Sequence, residues 1–192
     1  MCLINVEAFL KRESLMKMGK SVDRRTKVLE FGNDEAAEYA ILSHRWMAQE
    51  VDYDEMILQS CEQARANGYE WLWVDTCCID KRSSAELSEA INSMHQWYEN
   101  AKRYPDFRGW PEWFLHGWTL QELIAPSNVE FFNKNWHSIG DKRTLAPTLI
   151  DITGVLEHVL MDGLHGNHPC IAQIMSWAAH RKMTQVKTEL IC

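Results

Sequence analysis

The sequence predicts an α/β fold in which helices flank a parallel sheet, and three observations point to it. Tyr39-Ala-Ile-Leu42 and Tyr69–Asp75 are short apolar, aromatic and β-branched runs of the kind that form buried strands. Between them, Ile57, Cys61 and Ala64 recur at i, i+4 and i+7, one face of a helix from about Asp54 to Asn67. At 192 residues, with 46% hydrophobic and 24% charged, the chain has the size and makeup of one domain with one core. Strand, helix and strand with short links make a βαβ unit, whose strands run parallel with a right-handed crossover and end on the same edge of the sheet. Open α/β sheets bind ligands at that edge. Ser43–Trp46 and Asp75–Asp80 therefore emerge there side by side.

The remaining elements follow in chain order. Leu3–Val6 reads as a short strand, and Arg12–Glu38, charged and broken by Gly19, Gly32 and Asn33, reads mostly as loop. Asp52 or Asp54 is placed to cap the first helix, and Gly68 takes the position after its end. Ser83 and Glu86 form a capping box for a helix over 84–102, with an apolar stripe of Leu87, Ala90, Ile91, Met94, Trp97, Tyr98 and Ala101. Lys102–Pro111, with two prolines and a glycine, reads as loop, so the further strand that a doubly wound sheet needs is missing there. Glu112–Ile124 reads as a helix ended by Ala125-Pro126, and Val129–Phe132 as a strand. Ser138–Gly154 reads as helical in part and interrupted at Pro147, Leu156–Pro169 as irregular, and Ile171–Arg181 as a last helix.

Charge and composition exclude several classes. Lys and Arg number 20 against 27 Asp and Glu, a net charge of −7, which argues against a broad surface for nucleic acid or anionic lipid. No apolar run approaches the ~20 residues of a membrane helix, and the N-terminus lacks the layout of a secretory signal. The six cysteines form no CxxC pair, which favours reduced thiols in a cytoplasmic protein over a disulfide framework or zinc ribbon. Cys77 and Cys78 read as buried inert thiols, because no base is positioned beside them. His158, His165 and His168 lack a closed ligand set, so no metal is expected. Neither a P-loop nor a GxGxxG occurs.

Four segments in order carry a resemblance: YAILSHRW (39–46), WLWVDTCCIDKRSSAELSEAINSMHQWY (71–98), HGWTLQELIAP (116–126) and WHSIGDKRTLAPTLIDITGV (136–155). Together they resemble the HET domain, the heterokaryon-incompatibility domain of filamentous fungi. SWAAHR (176–181) is similar to the segment that follows that domain in fungal proteins continuing into an oligomerisation module. The resemblance implies a HET domain over 1–155 and a C-terminal extension over 156–192, helical in part and truncated before any such module. It implies a TIR-like, flavodoxin-like parallel sheet, with the strand missing from 101–112 as a departure. Met47, where the family carries glycine, is another. The implied function is an effector of non-self recognition and programmed cell death. Many TIR domains hydrolyse NAD through a helical glutamate, so NAD is implied as a substrate, with no bound cofactor, and self-association as the trigger. The implied partners are copies of the chain itself and other incompatibility or NLR-like proteins. The rival readings are a non-enzymatic homotypic signalling module and a degenerate inactive paralogue.

The candidate site residues follow. Trp118-Thr-Leu-Gln-Glu122 matches the Trp-x-x-x-Glu spacing of TIR domains, and the resemblance makes Glu122 the catalytic candidate. Trp118 and Glu122 share a helical face at i and i+4. Read from spacing alone, Glu122 is a surface residue and Trp118 a core one. Arg45 has the planar fork that holds a phosphate, and Ser43 a hydroxyl that donates to one. Equally, Ser43–Trp46 fits a structural turn in which Trp46 packs and Arg45 is solvated. Trp46 or Trp118 would stack on a base. Asp75, at a strand end, fits either a ribose hydroxyl or a structural role, and Asp80 fits the turn before Ser83.

Overall fold

The computed structural model describes residues 1–22, 29–31, 38–44, 53–101, 104–107, 113–133, 135–164, 169–179 and 181. The first strand, β1 (Cys2–Asn5), turns directly into α1 (Val6–Lys17), capped by the Asn5 side chain, which accepts from the Ala8 N–H at 2.9 Å. Then come β2 (Leu29–Phe31), β3 (Tyr39–His44), α2 (Tyr53–Ala66), β4 (Trp71–Val74), the single turn α3 (Asp75–Cys78) and the long α4 (Ser84–Asn100). After β5 (Tyr104–Phe107) a 3-10 turn at Trp113–Leu115 leads into α5 (Thr119–Ile124). The chain continues through β6 (Val129–Phe132), β7 (Ser138–Asp141), α6 (Ala146–Thr153), α7 (Glu157–Asp162) and α8 (Ile171–Ala178).

These strands join in one sheet in the order β2-β1-β4-β3-β5-β6-β7. The pairs β4/β3, β3/β5 and β5/β6 are parallel, and the flanking pairs β2/β1, β1/β4 and β6/β7 are antiparallel. The expected βαβ unit is present, with register from Tyr39 opposite Trp71 to Leu42 opposite Val74. Ser43 and Asp75 therefore leave the sheet level with each other. Residues Tyr39 to Ser43 are each at most 4% exposed, so both faces of β3 are covered.

Helix α2 buries Ile57, Cys61 and Ala64, the face the periodicity predicts, and packs on α1. It ends in a Schellman motif at Gly68 (φ +80°), where the Gly68 N–H reaches Arg65 O (2.9 Å) and the Tyr69 N–H reaches Ala64 O (2.9 Å). Helix α4 covers Trp73, whose ring centroid lies 5.7 Å from that of Trp97 and 5.9 Å from that of Tyr98. Tyr39 Oη donates to Trp97 O at 2.7 Å and ties α4 to the central strand. Half of the expected capping box forms. Ser83 Oγ accepts from the Glu86 N–H at 3.3 Å, but the Glu86 carboxylate takes the Asp80 N–H (3.0 Å). Asp80 thus organises the turn, as expected, and its side chain also binds Arg82.

Several expectations are corrected. The stretch Arg12–Glu38, expected to be mostly loop, contains the end of α1, which runs to Lys17, and β2 at Leu29–Phe31; residues 23–28 and 32–37 lie outside the described residues. Val6, Phe9 and Leu10 supply a buried helical stripe in α1 that its dense charges obscured. The strand expected to be missing is present as β5, between β3 and β6. Pro105 removes one ladder donor, which is why the segment reads as loop, yet the parallel pairing on both sides holds it. The helix over Glu112–Ile124 is instead a 3-10 turn and a separate α5, and Glu112 lies outside the described residues. Pro147 does not interrupt a helix but sits in the first turn of α6, where its missing N–H has no cost, and β7 precedes it. Leu156–Pro169 contains α7, and the last helix ends at Ala178. Asp54 lies inside α2 and Asp52 outside the described residues. Among the described residues no helix is long and apolar enough to cross a membrane.

Candidate functional site

The site is built where the strand order reverses. From β3 the chain crosses through α2 to β4 on one side, and later returns to β5 on the other side of β3. Ser43 stands near the carboxyl end of β3, at that switch point. Its hydroxyl donates to Glu122 Oε2 and accepts from Trp113 Nε1 at 3.0 Å. The directions are forced: an indole nitrogen only donates and an ionised carboxylate only accepts, so the serine is the relay between them. Ser43 is 4% exposed, Glu122 8% and Trp113 1%. A carboxylate this buried holds its charge only when hydrogen-bonded or paired.

The helix that carries Glu122 has six residues and is tied at both ends. At its start Thr119 Oγ1 lies 2.8 Å from Trp113 O and 2.7 Å from His116 O, which locks α5 to the preceding 3-10 turn. Arg181, beyond α8, brings Nη1 to 3.0 Å from Thr119 Oγ1 and 3.3 Å from His116 O, and its Nε donates to Trp177 O at 3.1 Å. Burial pulls the Arg181 guanidinium down to about 10, and attraction to Glu122 opposes that shift. The group remains a cation at neutral pH. At the other end of α5, Lys142 is 1% exposed, with Nζ 2.6 Å from Pro126 O and 3.5 Å from Ile124 O. Burial lowers its ammonium to about 8, Arg143 adds to the shift, and Asp162 partly opposes it. A cation on the last carbonyls of a helix also matches the helix dipole.

Of the residues predicted for the site, the structure brings Ser43 and Glu122 together. Trp118 is half-buried at the N-cap of α5. Asp75 opens α3 at the end of the neighbouring β4, with Lys81 Nζ 3.5 Å from its carboxylate. Arg45 and Trp46 lie outside the described residues, as do His165 and His168. Of the adjacent thiols, Cys78 is buried and burial raises it well above its ordinary range, but Cys77 is only half-buried, which corrects the expectation that both are buried; Cys61 is buried and raised in the same way. No group of three His, Cys, Asp or Glu that could hold a metal occurs among the described residues. Sequence reasoning missed Trp113, Thr119, Arg181 and Lys142. Arg181 lay in plain view as the last residue of SWAAHR. Its partners at the start of α5, Thr119 and His116, are more than 60 positions away in sequence, and periodicity carries no signal over that span.

The model of the heterokaryon incompatibility protein family (HET) matches residues 31–105, from β2 into β5. The chain is similar to the vegetative incompatibility protein HET-E-1 of Podospora anserina, at 37% identity over 77% of this chain. It spans 13% of the length of that protein. No solved structure matches. The family model and the similarity to HET-E-1 agree with each other, and the chain belongs to the heterokaryon incompatibility (HET) family.

Proposed function

We propose that this chain is an effector domain of fungal heterokaryon incompatibility, acting in the cytoplasm, which kills the cell by hydrolysing NAD when it self-associates. The observation that carries the reading is the buried Ser43–Glu122–Trp113 cluster at the carboxyl end of the central strand. The parallel strands run, in sheet order, second, first, third, fourth (β4-β3-β5-β6), and this order supports a TIR-like, flavodoxin-like sheet. The family of the relative supports the incompatibility role.

In the proposed reaction the bond between ribose C1′ and the nicotinamide nitrogen breaks, and its electron pair leaves with nicotinamide. Water adds to C1′, gives up a proton to solvent, and ADP-ribose is the other product. The transition state resembles an oxocarbenium ion, which a fixed carboxylate stabilises. Glu122 supplies that carboxylate, and the Ser43 hydroxyl fixes its orientation. Asp75, Arg45, Trp46 and Trp118 are the proposed contacts to the ribose, phosphate and base.

The test is nicotinamide release from NAD by the purified chain, at high protein concentration with a crowding agent, beside Glu122→Gln. Release by wild type, lost in the variant, is the expected result. Absence of release from a chain that melts cooperatively, even when fused to an oligomerising domain, would overturn it. A second reading has its own support: Glu122 is only 8% exposed, while Ile171 and Met175 of α8 are 80% and 64% exposed. In that reading the polar cluster is a structural tie, and the chain signals without catalysis by packing against copies of itself. It expects Glu122→Gln to be tolerated and charges at Ile171 or Met175 to abolish signalling.

A further inference from the structure

We infer that Arg181 is the positioning residue of the Glu122 site, so that the unit carrying this site runs from β3 through the segment after α8. Glu122 sits in the first turn of a helix too short to hold its own orientation, and the N-terminal end of that helix is fixed from outside. The fixing groups are the Thr119 hydroxyl and the His116 carbonyl, and the Arg181 fork reaches both from one nitrogen, Nη1. Its other contact, Nε to Trp177 O, anchors the fork to α8, whose Trp177 is 8% exposed and part of the core. The fork therefore links two packed elements, and Lys would not reproduce it.

A cation is an odd choice for this end of a helix, where the dipole disfavours positive charge. The buried carboxylate of Glu122 one turn away supplies the reason, and the attraction between the two groups agrees with it. Among the described residues, Ser43 from β3 donates to Glu122, and Arg181 from the segment after α8 attracts it. Arg181 acts through these contacts, holding the helix that aims the carboxylate. The inference deepens the NAD reading but does not need it, because the coupling can be measured on the carboxyl itself.

The experiment is carbon-13 NMR titration of the Glu122 carboxyl in the full chain, assigned with Glu122→Gln, in wild type, Arg181→Gln and Arg181→Lys. Arg181→Gln is expected to move the Glu122 titration upward by about one pH unit. Arg181→Lys is expected to restore most of that shift. It should still lower the rate of nicotinamide release, since the charge returns without the fork. A Glu122 titration unchanged in folded Arg181→Gln would overturn the proposal. If Arg181→Gln does not fold, wild type and Glu122→Gln suffice. The Arg181 Nε–H resonance should follow the Glu122 titration in wild type and lose that step in Glu122→Gln, and a resonance that ignores it would overturn the proposal. Coupling without nicotinamide release from any form supports this inference and removes the NAD reading.

Discussion

The two sides of the central strand bury different chemistry. On the side of α2, β4 and α4 the interior is apolar and aromatic: Ile57, Cys61, Ala64, Leu72, Trp73, Val74, Ala90 and Tyr98 are all buried. The buried polar residue there, Ser60, bonds within its own helix to Met56 O at 2.8 Å. On the side of β5, α5 and β6, Thr119, Glu122 and Lys142 are buried, joined by Ser43 at the strand end. The first side is what hydrophobic burial alone would build. The second opposes it, since each buried charge must be desolvated and then compensated by specific partners. Such local conflict is tolerated mainly where function needs it, and the candidate site lies on the second side.

The comparison breaks most visibly at Trp73. Its ring is fully buried against Trp97 and Tyr98, and its indole N–H has no partner among the described residues, so the residue is there for its volume. Trp73→Ala is expected to destabilise the chain by about 3–5 kcal/mol, a transfer and cavity loss read from chemical denaturation. A loss below ~1 kcal/mol would mean that this side is not the close-packed half.

The buried charges give the next largest effect. Lys142 has a folded value of about 8 against an ordinary 10.5, because burial disfavours its ammonium. Between those values the unfolded chain holds a proton that the folded one has shed. The contribution of Lys142 to stability therefore rises with pH across that window, by up to about 3 kcal/mol. The buried thiols Cys61 and Cys78, raised by desolvation, pull the opposite way in the alkaline range. The measurement is thus a difference: stability of wild type minus Lys142→Met should grow by about 3 kcal/mol from pH 7 to pH 10.5. A flat difference would place the ammonium in water and remove the contrast between the two sides.

This contrast also separates what sequence could reveal from what it could not. The apolar side was legible because its signals are local and periodic. Ile57, Cys61 and Ala64 lie at helical spacing, and Tyr39–Leu42 and Tyr69–Asp75 are short apolar runs, which pair as parallel strands over Tyr39–Leu42 and Trp71–Val74. The polar side was legible only in its ends. Ser43 and Glu122 were each singled out, but nothing local joins residues 79 positions apart. Arg181 and Lys142 gave no signal because an isolated Lys or Arg reads as solvated until a carbonyl or hydroxyl is found opposite it. β5 was hidden for a related reason. Pro105 and the surrounding polar residues are poor strand formers, and only pairing on both sides makes them one.

The smallest effect sharpens the boundary between the sides. Ser83 caps α4 through the Glu86 N–H at 3.3 Å, while the Glu86 carboxylate serves Asp80 instead of closing the box. Ser83→Ala removes one acceptor from an exposed helix start and is expected to lower stability by about 1 kcal/mol in denaturant titration. Helix α4 packs against α5, so the apolar and polar sides touch through it. If α4 moves as a rigid body held by Trp97 and Tyr98, loss of its cap leaves the Glu122 carboxyl titration where it was. A Glu122 titration that shifts in Ser83→Ala would mean that the carboxylate is held through α4 as well as through Ser43 and Arg181, and the two sides would then be one mechanical unit.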